Sequence, residues 1–431
     1  MYRKIQPIPI AVTGMGIISS IGKSVREFSE SLRHGRCGIR RLKTKIEPCI
    51  PVNIGAQITG FSWEALLRRY EGAGLPGDFI PKAIRCTYDA PFGVQISVLT
   101  TLEAWLQAQL FKKPVDSHRL GIVVAGSNLS QNYSYDLFSK FRQTPQYLNP
   151  KYAIHHMDTD HVGTLSEIFQ VQGEGFTVGG AAASGNAAII KGCQMIYLGI
   201  VDACIVVGAM TELSPMELQG YHNVGALGGK RFIDQPEKAC RPFDKDHEGF
   251  IYGQAAGCLV LESLHSAGKR GIPLLAEIVG TSLLLDGNRL PNPDIEGEAR
   301  AMELALNQAN IQPGHVHYLN AHGTSSPLGD EIEIKAIKQV FQKNISNLWI
   351  NSTKGLTGHC LSAAAVIEGI AAIIQMQERF IHPNLNLECP IDNECRFSPG
   401  QSIDAPLHIT MNNSFGFGGI NTSVILKKSG G

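Results

Sequence analysis

Short apolar runs of strand length alternate with longer segments of helical periodicity along almost the whole chain. The short runs end at glycines or polar turns, whereas the longer segments repeat apolar residues every three or four positions. This alternation predicts a layered α/β structure with mostly buried strands, and its recurrence predicts two halves of similar character. The predicted strands are 8–12, 120–125, 176–178, 203–207, 274–284 and 316–320, and the predicted helices are 25–34, 92–110, 186–198, 296–309, 330–341 and 361–376.

Composition excludes several functional classes. The chain of 431 residues has 38 basic and 38 acidic side chains, so its formal net charge is zero, which argues against a binder that meets nucleic acid or membrane with its whole surface. Its ten cysteines are scattered without C-x-x-C pairs, as buried thiols in a reducing compartment would be. The longest apolar helical run, 363–376, is shorter than the roughly 20 residues of a membrane helix and contains Glu368. We therefore expect a cytoplasmic protein with no nucleic-acid or membrane partner.

The glycines after the first predicted strand do not form a nucleotide-binding motif. Gly14, Gly16 and Gly22 miss the G-x-G-x-x-G spacing of dinucleotide-binding proteins. A phosphate-binding loop of the form G-x-x-x-x-G-K-[ST] does not occur in the sequence either. We expect residues 13–16 to form a tight turn that ends the first strand.

The stretch 130–174 has weak periodicity and contains five residues that could supply metal ligands: His155, His156, Asp158, Asp160 and His161. Nothing in the sequence fixes a helix or strand that would bring these side chains together, so we expect a polar loop near an interface and no metal site. The stretch 215–230 is rich in turn residues, and we expect it to cover a site.

The turn V-G-G-A-A-A-S-G-N at 178–186 joins a predicted strand to a predicted helix with almost no side-chain bulk. Such a sharp turn commonly lifts a nucleophile to the beginning of a helix, where free N–H groups favour negative charge. Its centre is Ala182, however, and its only hydroxyl belongs to Ser184, which has no histidine or aspartate at helical spacing to activate it. A tight packing corner is the alternative interpretation.

Two histidines stand in matching contexts, each shortly after an apolar run of strand length. His322 lies in N-A-H-G-T-S-S-P-L-G-D, and His359 ends S-T-K-G-L-T-G-H. The ends of strands are where α/β proteins keep functional groups, although a lone histidine is more often structural. In the second run, Lys354 either forms a buried ion pair with Glu368 that fixes the loop or is a solvated lysine.

A glycine-rich loop near the C terminus has the sequence N-S-F-G-F-G-G-I-N and covers residues 413–421. It follows an apolar run of strand length, and it interleaves Phe415 and Phe417 with glycines. Such a loop can swing an aromatic gate and bring its backbone close to a ligand. A plain glycine turn is the competing interpretation.

These segments together resemble the β-ketoacyl synthases, the condensing enzymes of fatty-acid and polyketide assembly. The matching motifs are V-T-G-x-G in the first strand, R-P-F-D-K-D at 241–246, N-A-H-G-T-S-x-P-L-x-D at 320–330, S-T-K-x-x-T-G-H at 352–359 and N-S-F-G-F-G-G-x-N at 413–421. The resemblance implies the thiolase fold, a five-layered αβαβα body with two pseudo-equivalent halves, 1–265 and 266–431, which is normally a homodimer. It also implies acyl substrates on the phosphopantetheine arm of an acyl carrier protein, with no cofactor of the enzyme's own.

The resemblance also exposes a departure at the nucleophile. In this family the turn at 178–186 carries a reactive cysteine, and the match places that position at Ala182, which cannot be acylated. Gly185 and Asn186 also replace the usual small residues. The chain therefore looks like the branch that decarboxylates malonyl-carrier protein in polyketide cassettes that install β-branches, although that branch usually has serine at this position.

Roles for individual residues follow from the same resemblance. His322 and His359 would donate hydrogen bonds to the enolate oxygen that forms when a malonyl thioester loses CO₂. Lys354 would orient the site through Glu368. The other implied site residues are Thr324 and Ser326 for the phosphopantetheine arm, Phe415 as a gate with Phe417 and Asn421 in the same loop, and Lys82 and Arg85 for docking of the acidic carrier. The backbone N–H groups of Ala182 and Phe415 match the family's second oxyanion hole, and no metal is implied.

The sequence thus predicts conversion of malonyl-acyl carrier protein to acetyl-acyl carrier protein without an acyl-enzyme, because loss of the cysteine removes only acyl acceptance. Water or one of the histidines would protonate the enolate. One alternative is a non-catalytic partner subunit like the chain-length factors, which also lack the cysteine, but the retained histidines and Lys354 argue against it. A second is an inactivated condensing synthase, which the unusual flanks of Ala182 disfavour.

Overall fold

The computed structural model describes residues 9–42 and 50–430. Within these residues it has fifteen strands: β1 (Ile10–Ser19), β2 (Arg40–Arg41), β3 (Ile54–Gly55), β4 (Leu120–Ala125), β5 (Gly175–Val178), β6 (Ala203–Gly208), β7 (Ala255–Ser263), β8 (Ala276–Leu285), β9 (Tyr318–Asn320), β10 (Trp349–Asn351), β11 (Phe380–Ile381), β12 (Arg396–Phe397), β13 (Ile403–Asp404), β14 (Ile409–Gly416) and β15 (Ile420–Lys427).

The same described residues form fourteen α-helices: α1 (Val25–Arg33), α2 (Trp63–Arg68), α3 (Phe79–Thr87), α4 (Phe92–Gln107), α5 (Gln131–Gln143), α6 (Tyr152–His155), α7 (Thr159–Phe169), α8 (Ser184–Tyr197), α9 (Pro215–Asn223), α10 (Leu264–Arg270), α11 (Ile295–Ala309), α12 (Pro327–Phe341), α13 (Lys354–Thr357) and α14 (Ala364–Glu378). Two short 3₁₀ turns help to build the site: Ala181–Ala183 before α8, and Leu361–Ala363 before α14.

Eleven strands form one sheet in the order β12-β10-β9-β14-β15-β8-β1-β7-β6-β4-β5. The series β1-β7-β6-β4-β5 and the series β8-β15-β14-β9-β10 have the same pattern, two antiparallel pairings followed by two parallel ones. The two series meet where β1 pairs with β8 over three residues. This repeat confirms the predicted α/β fold of two pseudo-equivalent halves, while the boundary between residues 265 and 266 stays a prediction.

Helices α8 and α14 fill the centre of the molecule between the two series of strands. Ile189 of α8 and Ile370 of α14 are almost completely buried in one apolar cluster with Val206 of β6 and Val424 of β15. On the outer faces, α4 and α7 cover the first series, and α11 and α12 cover the second. The result is the five-layered αβαβα arrangement that the resemblance implied.

The most apolar helical segment belongs to this central layer. Leu361–Glu378 has 18 residues and a mean hydropathy of 1.2, which by length and composition alone would suffice to cross a membrane. Inside the protein, however, 89% of the segment is buried. The apolar run is thus longer than the 363–376 of the sequence analysis, and its composition is that of a core helix packed on all sides.

The first strand does not end at the predicted tight turn but continues through it to Ser19. A Cβ atom added to Gly16 would overlap the Thr100 carbonyl oxygen of α4, and one added to Gly14 would overlap that of Ala104. These glycines therefore allow α4 to lie directly against β1. The turn prediction was wrong because glycine marks close backbone approach as well as turns.

Replacing Gly16 with alanine is expected to lower the free energy of unfolding by about 2–3 kcal/mol, because the added methyl group would force α4 away from β1. Gly163→Ala is the matched control, since Gly163 is a helical residue of α7 and an added Cβ would meet no atom within 4 Å. That change should stabilise the protein by about 0.5–1 kcal/mol through helix propensity. Denaturant unfolding measures both, and equal stability of G16A and the unaltered chain would contradict the close contact.

Residues 130–174 are mostly helical, so the prediction of a polar loop was wrong. They form α5, α6 and α7, and no residue of α5 is buried. The five polar residues are divided over this region: His155 Nδ1 lies 2.7 Å from Asp160 Oδ2, whereas His156 stacks on Tyr152. Within residues 9–42 and 50–430, no group of three or more histidine, cysteine or acidic side chains is placed to hold a metal ion.

Candidate active site

A cavity of about 590 Å³ is lined by residues of both halves. Its wall contains eight of the residues that the sequence singled out: Ala182, His322, Thr324, Ser326, His359, Phe415, Phe417 and Asn421. Lys354 and Glu368 are buried outside this wall, and Lys82 and Arg85 lie on α3, which does not border the cavity in the described part of the chain. Helix α9 and the residues after it do line the cavity, so the stretch 215–230 covers a site as expected.

Ala182 lies in the 3₁₀ turn between β5 and α8, and it lines the cavity. The equivalent 3₁₀ turn of the second half precedes α14. Each turn begins with a residue in the left-handed region, Ala181 with φ 48° and Leu361 with φ 49°. The Ser414 hydroxyl of β14 donates a hydrogen bond to the Ala182 carbonyl at 3.0 Å and holds the first turn against that strand. The position where the resemblance implies a nucleophile is thus open to a ligand but carries only a methyl group.

Ser184, the one hydroxyl in this turn, is engaged in holding the turn together. It is completely buried, accepts the Gly180 N–H at 2.8 Å and donates to the Ala181 carbonyl at 2.7 Å. Both hydrogen-bonding directions of the hydroxyl are therefore used within the turn. This arrangement gives Ser184 a structural function and no access to a substrate.

The unusual residues that follow the turn are explained by packing. A Cβ atom added to Gly185 would lie 2.8 Å from the backbone nitrogen of Val366, so glycine allows α8 to pack closely on α14. The buried side chain of Asn186 donates to the Asn412 carbonyl of β14 at 3.1 Å and accepts from the Asn412 side chain at 3.2 Å. These two residues therefore join the two halves behind the turn.

His322 follows β9 and is fixed through its backbone. The N–H groups of His322 and Gly323 donate to the two carboxylate oxygens of Glu333 at 2.8 and 2.7 Å, which ties this turn to α12. The His322 ring meets the His359 ring edge-on, with centroids 5.5 Å apart and planes at 83°. Its Nδ1 atom is buried and has no hydrogen-bond partner among the described residues.

His359 follows α13 and is fixed through both its backbone and its ring. Its backbone N–H donates to the Ile251 carbonyl at 2.7 Å, and its Nδ1 accepts the Leu361 N–H at 3.2 Å. Because Nδ1 needs a lone pair to accept this hydrogen bond, the neutral ring carries its proton on Nε2. The Phe250 ring packs edge-on against the imidazole at 5.3 Å. Nε2–H is therefore the donor that His359 can offer to a ligand.

A buried ion pair lies beside the two histidines. Lys354 Nζ is 2.5 Å from Glu368 Oε1, and the two side chains are only 1% and 3% exposed, so Lys354 is not a solvated lysine. Burial lowers the pKa of His322 and of His359 well below the ordinary value, and the positive charge of Lys354 lowers both further. Both imidazoles are therefore neutral at neutral pH.

The two phenylalanines of the glycine-rich loop lie in different places. Phe415 is 7% exposed, and its ring centroid is 5.8 Å from that of His322, so it borders the histidine pair. Phe417 is 45% exposed and approaches Tyr221 of α9 at 6.4 Å. Only Phe415 is thus close to the histidines, and its role as a gate stays a prediction.

The remaining predicted residues of the wall are polar. The hydroxyls of Thr324 and Ser326 are hydrogen-bonded to each other at 2.8 Å. The Asn421 side chain donates to Asp286 Oδ1 at 2.5 Å. All four line the same cavity, whereas contact of Thr324 and Ser326 with a phosphopantetheine arm stays a prediction.

Sequence reasoning missed two buried carboxyl groups of the wall, Glu298 of α11 and Glu333 of α12. Each lies on the apolar face of its helix, because the residues three, four and seven positions later are also buried. A charged residue on such a face is rarely buried without a reason. The helical spacing of apolar residues around positions 298 and 333 could therefore have identified both glutamates as buried.

The comparison with protein families agrees with this geometry. Residues 8–267 match the family model of the β-ketoacyl synthase N-terminal domain, and residues 275–388 match that of the C-terminal domain. The chain belongs to the β-ketoacyl synthase family. The two matches fall on the two halves of the sheet, which share one strand pattern.

Individual relatives of this chain match it over nearly its whole length. Polyketide biosynthesis malonyl-ACP decarboxylase PksF of Bacillus subtilis (strain 168) is 37% identical over 97% of this chain and 96% of that protein. 3-oxoacyl-[acyl-carrier-protein] synthase 2 of Coxiella burnetii (strain RSA 493 / Nine Mile phase I) is 31% identical over 97% of this chain and 98% of that protein. The solved structure of the ishigamide ketosynthase/chain length factor superposes with a TM-score of 0.84 at 27% identity and covers 98% of this chain and 100% of that one.

Proposed function

We propose that this chain converts malonyl-acyl carrier protein to acetyl-acyl carrier protein in the β-branching steps of polyketide biosynthesis, without an acyl-enzyme. The observation that carries the proposal is the pair of histidine rings, with centroids 5.5 Å apart, in a cavity that Ala182 also lines. An alanine accepts no acyl group, whereas the histidine pair can stabilise an enolate. The relative that is 37% identical and is named a malonyl-ACP decarboxylase supports the same reaction.

Decarboxylation of a malonyl thioester needs hydrogen-bond donors to the enolate oxygen and no nucleophile. When the bond to the carboxylate breaks, its electron pair moves into the thioester and places negative charge on the thioester oxygen. Nε2–H of His359 and the N–H of the neutral His322 ring would donate to that oxygen. A preorganised donor of this kind contributes about 3 kcal/mol to transition-state stabilisation, or roughly a hundredfold or more in rate.

Lys354 acts in this proposal as a positioning residue. It does not line the cavity, but its charge favours the neutral form of both imidazoles. Protonation of His359 would cost the hydrogen bond from Leu361 and would place a second positive charge beside Lys354. The ion pair therefore keeps the donors in one protonation state when the pH falls.

Replacing Lys354 with methionine is expected to introduce an acid limb in the pH profile of kcat. The unaltered chain should show a flat profile between about pH 6 and 8, because both histidine pKa values lie well below their ordinary value near 6.5. Without the ammonium group these pKa values rise, although burial still lowers them, so the rings take up protons at a higher pH than in the unaltered chain and activity falls at the acid end of the range. Glu368→Gln is the control, since it keeps the positive charge. A flat profile for K354M would contradict this role.

Two partners belong to the proposal. An acyl carrier protein would dock near Lys82 and Arg85, which lie one turn apart on α3, and its arm would reach Thr324 and Ser326 in the cavity wall. A second copy of the chain would form a homodimer. Strand β5 at the end of the sheet pairs only with β4 in the described part of the chain, so its other edge is available to another strand.

The direct test incubates the chain with malonyl-acyl carrier protein and follows the intact mass of both proteins. The proposal expects the carrier to lose the mass of CO₂ while the mass of the enzyme stays unchanged. No loss with any malonyl-carrier protein, together with tight pairing to a second synthase, would instead support the chain-length-factor-like partner subunit.

A further inference from the structure

Four acidic side chains form one wall of the cavity. They are Asp286 after β8, Glu298 of α11, and Asp330 and Glu333 of α12. The last three are at most 2% exposed. So much buried negative charge beside a site for an anionic substrate is costly, unless protons or hydrogen-bond donors neutralise it.

Three of these carboxyl groups have partners. Glu333 accepts the N–H groups of His322 and Gly323. Asp330 accepts backbone N–H groups from Phe243 and Ser325 at 2.8 and 3.1 Å. Asp286 accepts from the Asn421 side chain, as described above. These contacts give each of the three at least one donor.

Glu298 is different. Its side chain is 1% exposed, it borders the cavity, and its Oε2 atom has no hydrogen-bond partner within residues 9–42 and 50–430. A buried carboxylate without donors is unfavourable, whereas a neutral carboxylic acid tolerates such a place and can donate its own proton. The geometry therefore favours the protonated form of Glu298.

The surrounding charges favour the same form. Burial raises the pKa of Glu298 well above its ordinary value, and the neighbouring carboxyls of Glu333, Asp286, Asp294 and Asp330 raise it further. Burial also raises the pKa of Glu333 to about 7, against the two N–H groups that lower it. Two neighbouring carboxyls cannot both be charged easily, so a proton resides on Glu298, whose Oε2 atom has no donor, while Glu333 is stabilised as a carboxylate by two N–H groups.

The proposed reaction needs a proton that the histidines do not supply. His359 uses Nδ1 to accept the Leu361 N–H, so its single proton is the one on Nε2 that stabilises the enolate oxygen. His322 is neutral as well, and a neutral imidazole that lost its remaining proton would become an anion. The proton for the enolate carbon must therefore come from water or from a protonated side chain of the cavity wall.

We propose that Glu298 is this acid, an inference that rests on the proposed decarboxylation. In the step, the O–H bond of Glu298 breaks and a C–H bond forms at the α-carbon of the enolate, which gives the acetyl thioester. The electron pair of the O–H bond stays on Glu298 as a carboxylate. Solvent then returns a proton to it before the next turnover, so no other reactant is consumed.

The experiment compares Glu298→Gln with the unaltered chain on malonyl-acyl carrier protein in buffer that contains ¹³C-bicarbonate and carbonic anhydrase. The glutamine variant keeps the size and neutrality of the side chain but has no acidic proton. We expect kcat to fall about a hundredfold, within the range of a general acid, with KM changed less than twofold. Because the enolate then lives longer, it recaptures ¹³CO₂, and the unreacted malonyl group gains label that the unaltered chain does not introduce.

Glu296→Gln is the matched control, since Glu296 is an exposed carboxylate two residues away that contacts Gln339. It should keep the kcat of the unaltered chain and introduce no label. Glu298→Asp, which keeps an acid, should recover part of the rate and suppress the label, a result that a purely structural role does not produce.

An E298Q variant with unaltered kcat and no label would overturn the role of Glu298 alone, whereas an unaltered chain that releases no CO₂ would overturn the proposed function too. If E298Q does not fold, Glu298→Met, which has a side chain of similar length and no acidic proton, takes its place, and an unaltered kcat without label in E298M removes the inference as well.

Discussion

Replacing either His322 or His359 with alanine is expected to slow the release of CO₂ from malonyl-acyl carrier protein by about a hundredfold or more. Each ring is a preorganised donor in the cavity wall, and one such donor contributes about 3 kcal/mol. The double variant H322A/H359A should show no release above the uncatalysed background. The measurement is the fraction of carrier protein that has lost CO₂, followed by intact mass at saturating substrate.

An exposed histidine provides the control for this experiment. His156 lies at the end of α6, is exposed and stacks on Tyr152, outside the cavity wall. H156A should therefore keep the rate of the unaltered chain. A folded double variant of His322 and His359 that still releases CO₂ at the unaltered rate would show that the enolate is stabilised elsewhere.

Much of the fold could be predicted because most helices and strands have a buried face. The apolar residues of that face recur in the sequence at the spacing of a helix or a strand. Helices α8, α11, α12 and α14 lie close to the predicted ranges, as do β4, β6 and β8. Helix α5 was missed although Tyr133, Leu137 and Phe141 repeat every four residues, and none of its residues is buried in this chain. Strand β15 was missed because it buries Thr422 and Ser423 through hydrogen bonds to β14, which removes the apolar alternation.

Part of the candidate site could likewise be predicted from the sequence, and part of it could not. His322 and His359 could be singled out because they follow predicted strands, where short polar turns stand out against apolar runs. The ion pair of Lys354 with Glu368 was one of two options in the sequence, and burial decides between them. The role of Glu333 depends on a contact between α12 and the turn after β9, which local sequence cannot reveal. The hydrogen bonds of Ser184 within its own turn depend on the backbone conformation of that turn, which the sequence pattern does not fix.

Replacing Ala182 with cysteine is expected to convert a chain that forms no acyl-enzyme into one that does. Residue 182 lines the cavity, and it lies just before α8, where free N–H groups and the helix dipole stabilise a thiolate. That thiolate would attack the thioester carbonyl of an acetyl- or longer acyl-carrier protein, the carrier thiol would leave, and the acyl group would stay on the enzyme. Intact mass of the enzyme should show near-stoichiometric acylation of A182C and none of the unaltered chain.

Two controls test whether acylation depends on a thiol at position 182 or occurs at any cysteine of the chain. The unaltered chain already has ten cysteines, so its unchanged mass tests all of them at once. Ala183→Cys places a new thiol one residue further along the same turn, at a position with no exposed surface, and it should stay unacylated. If A182C folds and still releases CO₂ but takes up no acyl group, the missing sulfur is not what prevents an acyl-enzyme, and the block must lie in how the cavity places the thioester carbonyl relative to the turn.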